Sequence, residues 1–210
     1  MTGKLCTIAL FLAVAAVFLT SCVGIDSRLT ILDNGSGTLE MTYQVSQLLS
    51  NFGDSGDGRK IVPLPLTRSD FDRSLEAAKG KVRLAAFDRS ENEKDITIHV
   101  RLDFDSLDAL GSLDAFRGAE IKTGAGGQGG GHTFSQLIAH APQTPVSDDS
   151  LRMVDAFFNG YDLTFTVETP QPVKSASLGT VSENHRSVTY TTSVRDVIRT
   201  KSDLVLSVSW

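Results

Sequence analysis

Apolar residues occupy every second position through much of the chain, a period that buries one face of a sheet and leaves the other wet. Ile25, Leu29 and Ile31 sit at odd positions, and Leu39, Met41, Tyr43 and Val45 resume the odd series beyond Asp33-Asn34-Gly35. Thr38, Glu40, Thr42 and Gln44 fill the even places. This is the pattern of a half-buried antiparallel hairpin. Parity selects its loop. A two-residue Asn-Gly turn would set odd residues opposite even ones and put apolar against polar. A loop of Asp33, Asn34 and Gly35, with Gly35 left-handed and a bulge, keeps both apolar sets on one face.

The same logic extends along the chain. Ser69 to Asp72 reads as a capping box ahead of Phe71, Leu75 and Ala78 at helical spacing, with Gly80 as the stop. Val82, Leu84 and Ala86 alternate, a polar turn lies at Glu91 to Lys94, and Ile96, Ile98, Val100, Leu102 and Phe104 alternate again. Leu107, Leu110 and Leu113 suggest a short helix, and Asp105 or Ser106 suits its cap. A further helix from Asp148 to Asn159 is signalled by Asp148 and Asp149 at its start and carries Leu151, Met153, Val154, Phe157 and Phe158. Strands follow at Tyr161 to Val167, around Leu178, at Val188 to Tyr190 and from Leu204 to Trp210. Residues 51–60 and 124–131 are rich in Gly and expected to be flexible loops. The expected fold is α+β: one domain over residues 22–210, a mostly antiparallel, hairpin-rich sheet of about eight strands with about three helices packed on one face.

Ahead of this domain, Lys4 precedes an uncharged apolar run from Leu5 to Leu19. As a helix the run reaches about 22 Å, short of a hydrocarbon core of about 30 Å, so it fits a secretory signal better than a spanning anchor. It ends in Leu19-Thr20-Ser21-Cys22, which resembles the lipobox of bacterial lipoproteins at all four positions. The resemblance implies that residues 1–21 are a signal peptide, and that Cys22 is the lipid attachment residue, carrying a diacylglyceryl group and often an acyl chain such as palmitate. Val23, rather than an acidic residue, follows it, which favours the outer membrane where the organism has one. Cys6 would leave with the signal, so the processed chain would have no free thiol and no disulfide. Two or three acyl chains at about 0.8 kcal/mol per CH₂ make such anchoring effectively permanent.

Catalytic and cofactor patterns are weak. The formal charge of −5 offers no electrostatic basis for a nucleic-acid partner. Gly124-Ala125-Gly126-Gly127-Gln128-Gly129 matches GxGxxG but lacks the strand before it and the helix after it that a dinucleotide needs. His99, His132, His140 and His185 have no metal-ligand spacing and read as solvated. Asp103 and Asp105 end an alternating strand on its polar side, where exposed carboxylates are expected. No catalytic, cofactor-binding or metal-binding residue is therefore assigned. Leu151, Met153, Val154, Phe157 and Phe158 are more apolar than a one-sided stripe requires. They are the candidate contact with an apolar ligand or the membrane, against the alternative of a buried core helix.

The stretch Leu29-Thr30, Asp33-Asn34-Gly35-Ser36-Gly37-Thr38 and Val45-Ser46, directly behind the lipobox, resembles the opening of the exported domain in the mycobacterial LppM lipoprotein family. Val188-Thr189-Tyr190 and Leu204 to Trp210 are similar in style. The chain departs from the family in the extra Asn34 of the turn and in having no transmembrane segment after the last strand. The resemblance implies an envelope-tethered α+β domain that binds lipid or glycolipid, and it brings no catalytic residues. The expected function is thus a non-enzymatic, membrane-anchored lipoprotein of the cell envelope that binds a lipid, glycolipid or other hydrophobic ligand close to the membrane. The alternative is a structural or assembly lipoprotein with another envelope protein as partner.

Overall fold

The computed structural model describes residues 23–47, 65–113, 124–125, 131–144, 146–158 and 161–210. The signal peptide, the lipobox with Cys22 and the loop at 51–60 lie outside the described residues, as do residues 126–130 of the Gly-rich stretch.

The architecture is mostly β, in two sheets. Strands β1 (Val23–Ile31), β2 (Gly37–Ser46), β3 (Val82–Glu91), β4 (Asp95–Phe104), β7 (Asp162–Glu168), β9 (Thr180–Val181) and β10 (Ser187–Ser193) form the first sheet, in the order β3-β4-β2-β1-β7-β10-β9. The second comprises β5 (Gly124–Ala125), β6 (His132–Ala139), β8 (Ser175–Ala176) and β11 (Leu204–Ser209), in the order β5-β6-β11-β8. The helices are α1 (Arg68–Leu75), continued by a 3-10 turn at Glu76–Ala78, then α2 (Leu107–Gly111), α3 (Asp148–Phe158) and α4 (Val194–Ile198).

The first hairpin forms as parity requires. Leu29 faces Leu39 and Ile25 faces Tyr43, odd against odd. Leu32 donates to the Ser36 carbonyl at 2.8 Å, Gly35 donates back to the Leu32 carbonyl at 2.9 Å, and Gly35 has φ +79°. Asn34 Oδ1 accepts from the Ser36 amide at 3.1 Å, and the other two hairpin turns of this sheet repeat that device. Asn92 Oδ1 accepts from Lys94 and Asn184 Oδ1 from Arg186, two residues on in each case.

Several expectations need correction. The sheet is mixed: β1 pairs antiparallel with β2 but parallel with β7, from Val23 opposite Asp162 to Thr30 opposite Glu168. Alternation reports which face a residue occupies and is silent on strand direction, so it could not supply this. Strand β6 has no alternating signature in the sequence, because its apolar residues Phe134, Leu137, Ile138 and Ala139 break the period. The cap of α1 is Thr67 with Asp70, two residues before the expected box, with Thr67 Oγ1 accepting from the Asp70 amide at 3.2 Å. A bulge between Leu84 and Ala86 switches the parity of β3, so Phe87 rather than Ala86 turns inward, opposite Val100. Phe71 of α1 meets Phe87 edge-on with ring centroids 5.6 Å apart. Ser106 caps α2, as expected.

The core lies between the sheets. Leu29, Leu39, Tyr43, Ile98, Val100, Leu102 and Phe104 of the first sheet face Phe134, Leu206 and Val208 of the second, with Leu107 and Leu110 of α2 closing the side. The helices do not share one face. While α1 packs on β3, α3 packs on α4, and Arg195 of α4 makes an ion pair with Asp155 of α3. None of the described side chains of α3 belongs to the core. No helix among the described residues is long and apolar enough to cross a membrane.

Candidate functional site

Three adjacent strands fix two opposite ends of the first sheet. At one end Val23, Asp162 and Ser193 stand side by side, and at the other Thr30, Glu168 and Ser187 do. The seven residue steps of β1 from Val23 to Thr30 separate these ends by about 23 Å.

At the second end, β1 runs into its hairpin loop, β7 into the turn at Thr169-Pro170, and the turn at Asn184 leads into β10. Between them is an open groove of about 410 Å³ lined by, among others, Thr30, Leu32, Glu168, Pro170, Asn184 and Arg186. Leu32, 52% exposed, stands on its wall beside the buried Ile31. Glu168 is held from two sides, by an ion pair with Arg28 and by Thr30 Oγ1, which donates to its Oε2 at 2.9 Å. Arg186 donates from Nη1 to the Pro170 carbonyl. Chemically, the groove offers a fixed, charge-compensated carboxylate, guanidinium and amide donors, and an apolar wall. It suits an amphipathic ligand without strong charge. Of the segments that meet here, only the loop at Asp33-Asn34-Gly35 is signalled in the sequence; the turns at Thr169-Pro170 and Asn184 and their convergence are not.

The candidate helix lies at the first end. Leu151 and Val154 are half-buried and Phe158 is 37% exposed; the side chains of Met153 and Phe157 lie outside the described residues. The Phe158 ring meets the Tyr161 ring edge-on at 6.5 Å. Tyr161 in turn closes against β1: a Cβ on Gly24 would lie 3.0 Å from its Cβ.

A lipid cavity between the sheets is not formed where Leu29, Leu39, Leu110, Phe134 and Phe165 meet: the space there is about 10 Å³, room for about one water.

The polar residues weighed for catalysis are dispersed. Asp103 pairs with Arg101 at 3.4 Å and Asp105 with Arg83 at 3.0 Å. All four histidines are exposed. His99 Nδ1 meets Thr42 Oγ1 at 3.0 Å, and His132 stacks on Trp210 at 5.8 Å. His140 Nδ1 lies 3.1 Å from Asp203, whose other oxygen accepts from the Ala141 amide at 2.8 Å. That amide first, and His140 second, hold the Asp203 carboxyl below the usual aspartate range. Gly124-Ala125 of the GxGxxG stretch is a short strand on β6, opposite Thr133 and His132. Among the described residues no three His, Cys, Asp or Glu side chains converge as metal ligands.

No protein-family model matches the chain, and no curated protein matches it. Among solved structures, the NMR structure of the folded domain of LppM from Mycobacterium tuberculosis is similar, with 15% identity over 90% of each chain and a TM-score of 0.42.

Proposed function

We propose that this chain is a non-enzymatic, membrane-anchored lipoprotein of the cell envelope, tethered through acylated Cys22, whose domain binds a lipid, glycolipid or other partly hydrophobic ligand near the membrane. The observation that carries the binding reading is the groove at the end of β1. Its volume of about 410 Å³ lies in the range of ligand sites, and Ile31, Leu32 and Pro170 give it an apolar wall beside Glu168, Asn184 and Arg186. The packed space between the sheets favours a ligand held in this open groove over an acyl chain swallowed by the core.

The alternative, docking of an envelope protein on a sheet edge, has less support. Edge strand β3 is bulged between Leu84 and Ala86 and carries Arg83, Asp88, Arg89 and Glu91, devices that oppose strand addition.

Native mass spectrometry of the protein, with Leu32→Asp and Arg186→Ala variants alongside, tests the reading. Co-purifying lipid that is lost in both variants is the expected result. A domain that stays empty after exposure to an envelope lipid extract would refute it.

A further inference from the structure

The parallel pairing of β1 with β7 has a geometric consequence for a chain anchored at Cys22. Val23, the next residue, is already paired with Asp162 in the sheet. Consecutive Cα atoms are only about 3.8 Å apart, so an acylated Cys22 would leave almost no tether and the end of the sheet that contains Val23 must abut the bilayer. Helices α3 and α4, whose described side chains stand outside the core, meet at that end. Phe158 closes α3 and is partly exposed, touching Tyr161, which packs on Gly24. Ser193, beside Asp162 in the next strand, caps α4, with its Oγ accepting from the Asp196 amide at 3.0 Å. Val194, Val197 and Ile198 of α4 are half-buried and, like Leu151 and Val154 of α3, lie outside the core. The Arg195–Asp155 pair binds the two helices into one unit.

We infer that the α3–α4 end is a membrane-contacting surface: Phe158 enters the headgroup region of the bilayer that holds the Cys22 lipid, and the groove beside Leu32 points away from it. The occupant is a lipid surface because the anchor brings that surface, and no other, against this end. Contact is apolar rather than electrostatic. Arg195 is paired with Asp155, and Asp162 and Asp95, which accepts from the Tyr161 hydroxyl, add negative charge at this end, so zwitterionic lipid suffices. This inference rests on the proposed lipidation of Cys22.

The test uses full-length, lipidated protein in phosphatidylcholine vesicles, with single nitroxide labels on Phe158→Cys, Asp162→Cys and Leu32→Cys. The Asp162 position, exposed and in register with Val23, reports the same end without disturbing the Phe158–Tyr161 contact. Labels at 158 and 162 should be shielded several-fold from a water-soluble nickel chelate relative to the label at 32. At 158, dissolved oxygen should be the more effective relaxant. Protein that floats with the vesicles while all three labels are equally open to the chelate overturns the orientation and leaves the anchor intact. Protein that does not float overturns the anchor, and this inference with it.

Discussion

Gly37 is the residue whose replacement by alanine should cost most for the smallest chemical change. A Cβ there would lie 1.9 Å from the Thr30 carbonyl oxygen and 2.7 Å from Cζ of Phe104. Neither neighbour can yield cheaply. Thr30 is backbone within the β1–β2 ladder, and Phe104 is 2% exposed in the core. An ordinary carbon–oxygen contact is longer by more than 1 Å, so β1 and β2 must part locally and lose ladder hydrogen bonds. Overpacking of this kind costs about 3 kcal/mol, at the upper end of its usual range. For a chain of this size about 3 kcal/mol lowers Tm by roughly 6–12 °C. Gly35→Ala is the control. Gly35 has φ +79° and open space around its Cβ position, so the substitution pays only for left-handed backbone, about 1 kcal/mol, or roughly 2–4 °C. Thermal unfolding followed by circular dichroism compares the two. Because Thr30 also holds Glu168 in the groove, Gly37→Ala should also weaken the ligand capture proposed for that groove, even below its Tm. If Gly37→Ala melts no lower than Gly35→Ala, the close strand approach and the argument built on it are wrong.

Three shorter predictions follow from the packing and the charges. Phe134→Ala empties a fully buried site between the sheets and should destabilise by about 3–5 kcal/mol in denaturant titration, far more than Phe158→Ala at the helix end. Burial first, and the Asp70 carboxylate second, push the Tyr43 phenol well above its ordinary pKa, so in an alkaline spectrophotometric titration one phenol should ionise only as the fold opens, and Tyr43→Phe should remove that late step. Asp203 has a depressed pKa in the folded state, so its stabilising contribution is present above the ordinary aspartate range of about pH 4 and lost as pH falls through the folded value. The Tm gap between wild type and Asp203→Asn should therefore be full near neutrality and close on acidification; a gap constant from neutral to strongly acidic pH would contradict the Asp203–Ala141 contact.

The short-range structure was legible because it depends on short-range physics. Odd parity around Asp33-Asn34-Gly35 required a three-residue loop, and the turn has that form, with left-handed Gly35. Ser106, Asp148 and Asp149 marked helix starts through unsatisfied amides and the helix dipole, signals confined to one turn of chain. The bulge in β3 was not legible, since it is set by how Phe87 reaches Phe71, a partner on another element.

What the sequence by itself determined is which face the residues of the regular strands β1, β2 and β4 occupy, the loop at Asp33-Asn34-Gly35 and the starts of α2 and α3, all consequences of backbone period and local hydrogen bonding. Tertiary structure alone decided that β1 runs parallel to β7, strands more than a hundred residues apart, because a period of two looks the same read in either direction. That one pairing places Tyr161, and Phe158 through it, at Gly24 and brings the Leu32 loop to the turn at Asn184. Both candidate surfaces of this protein exist because of it.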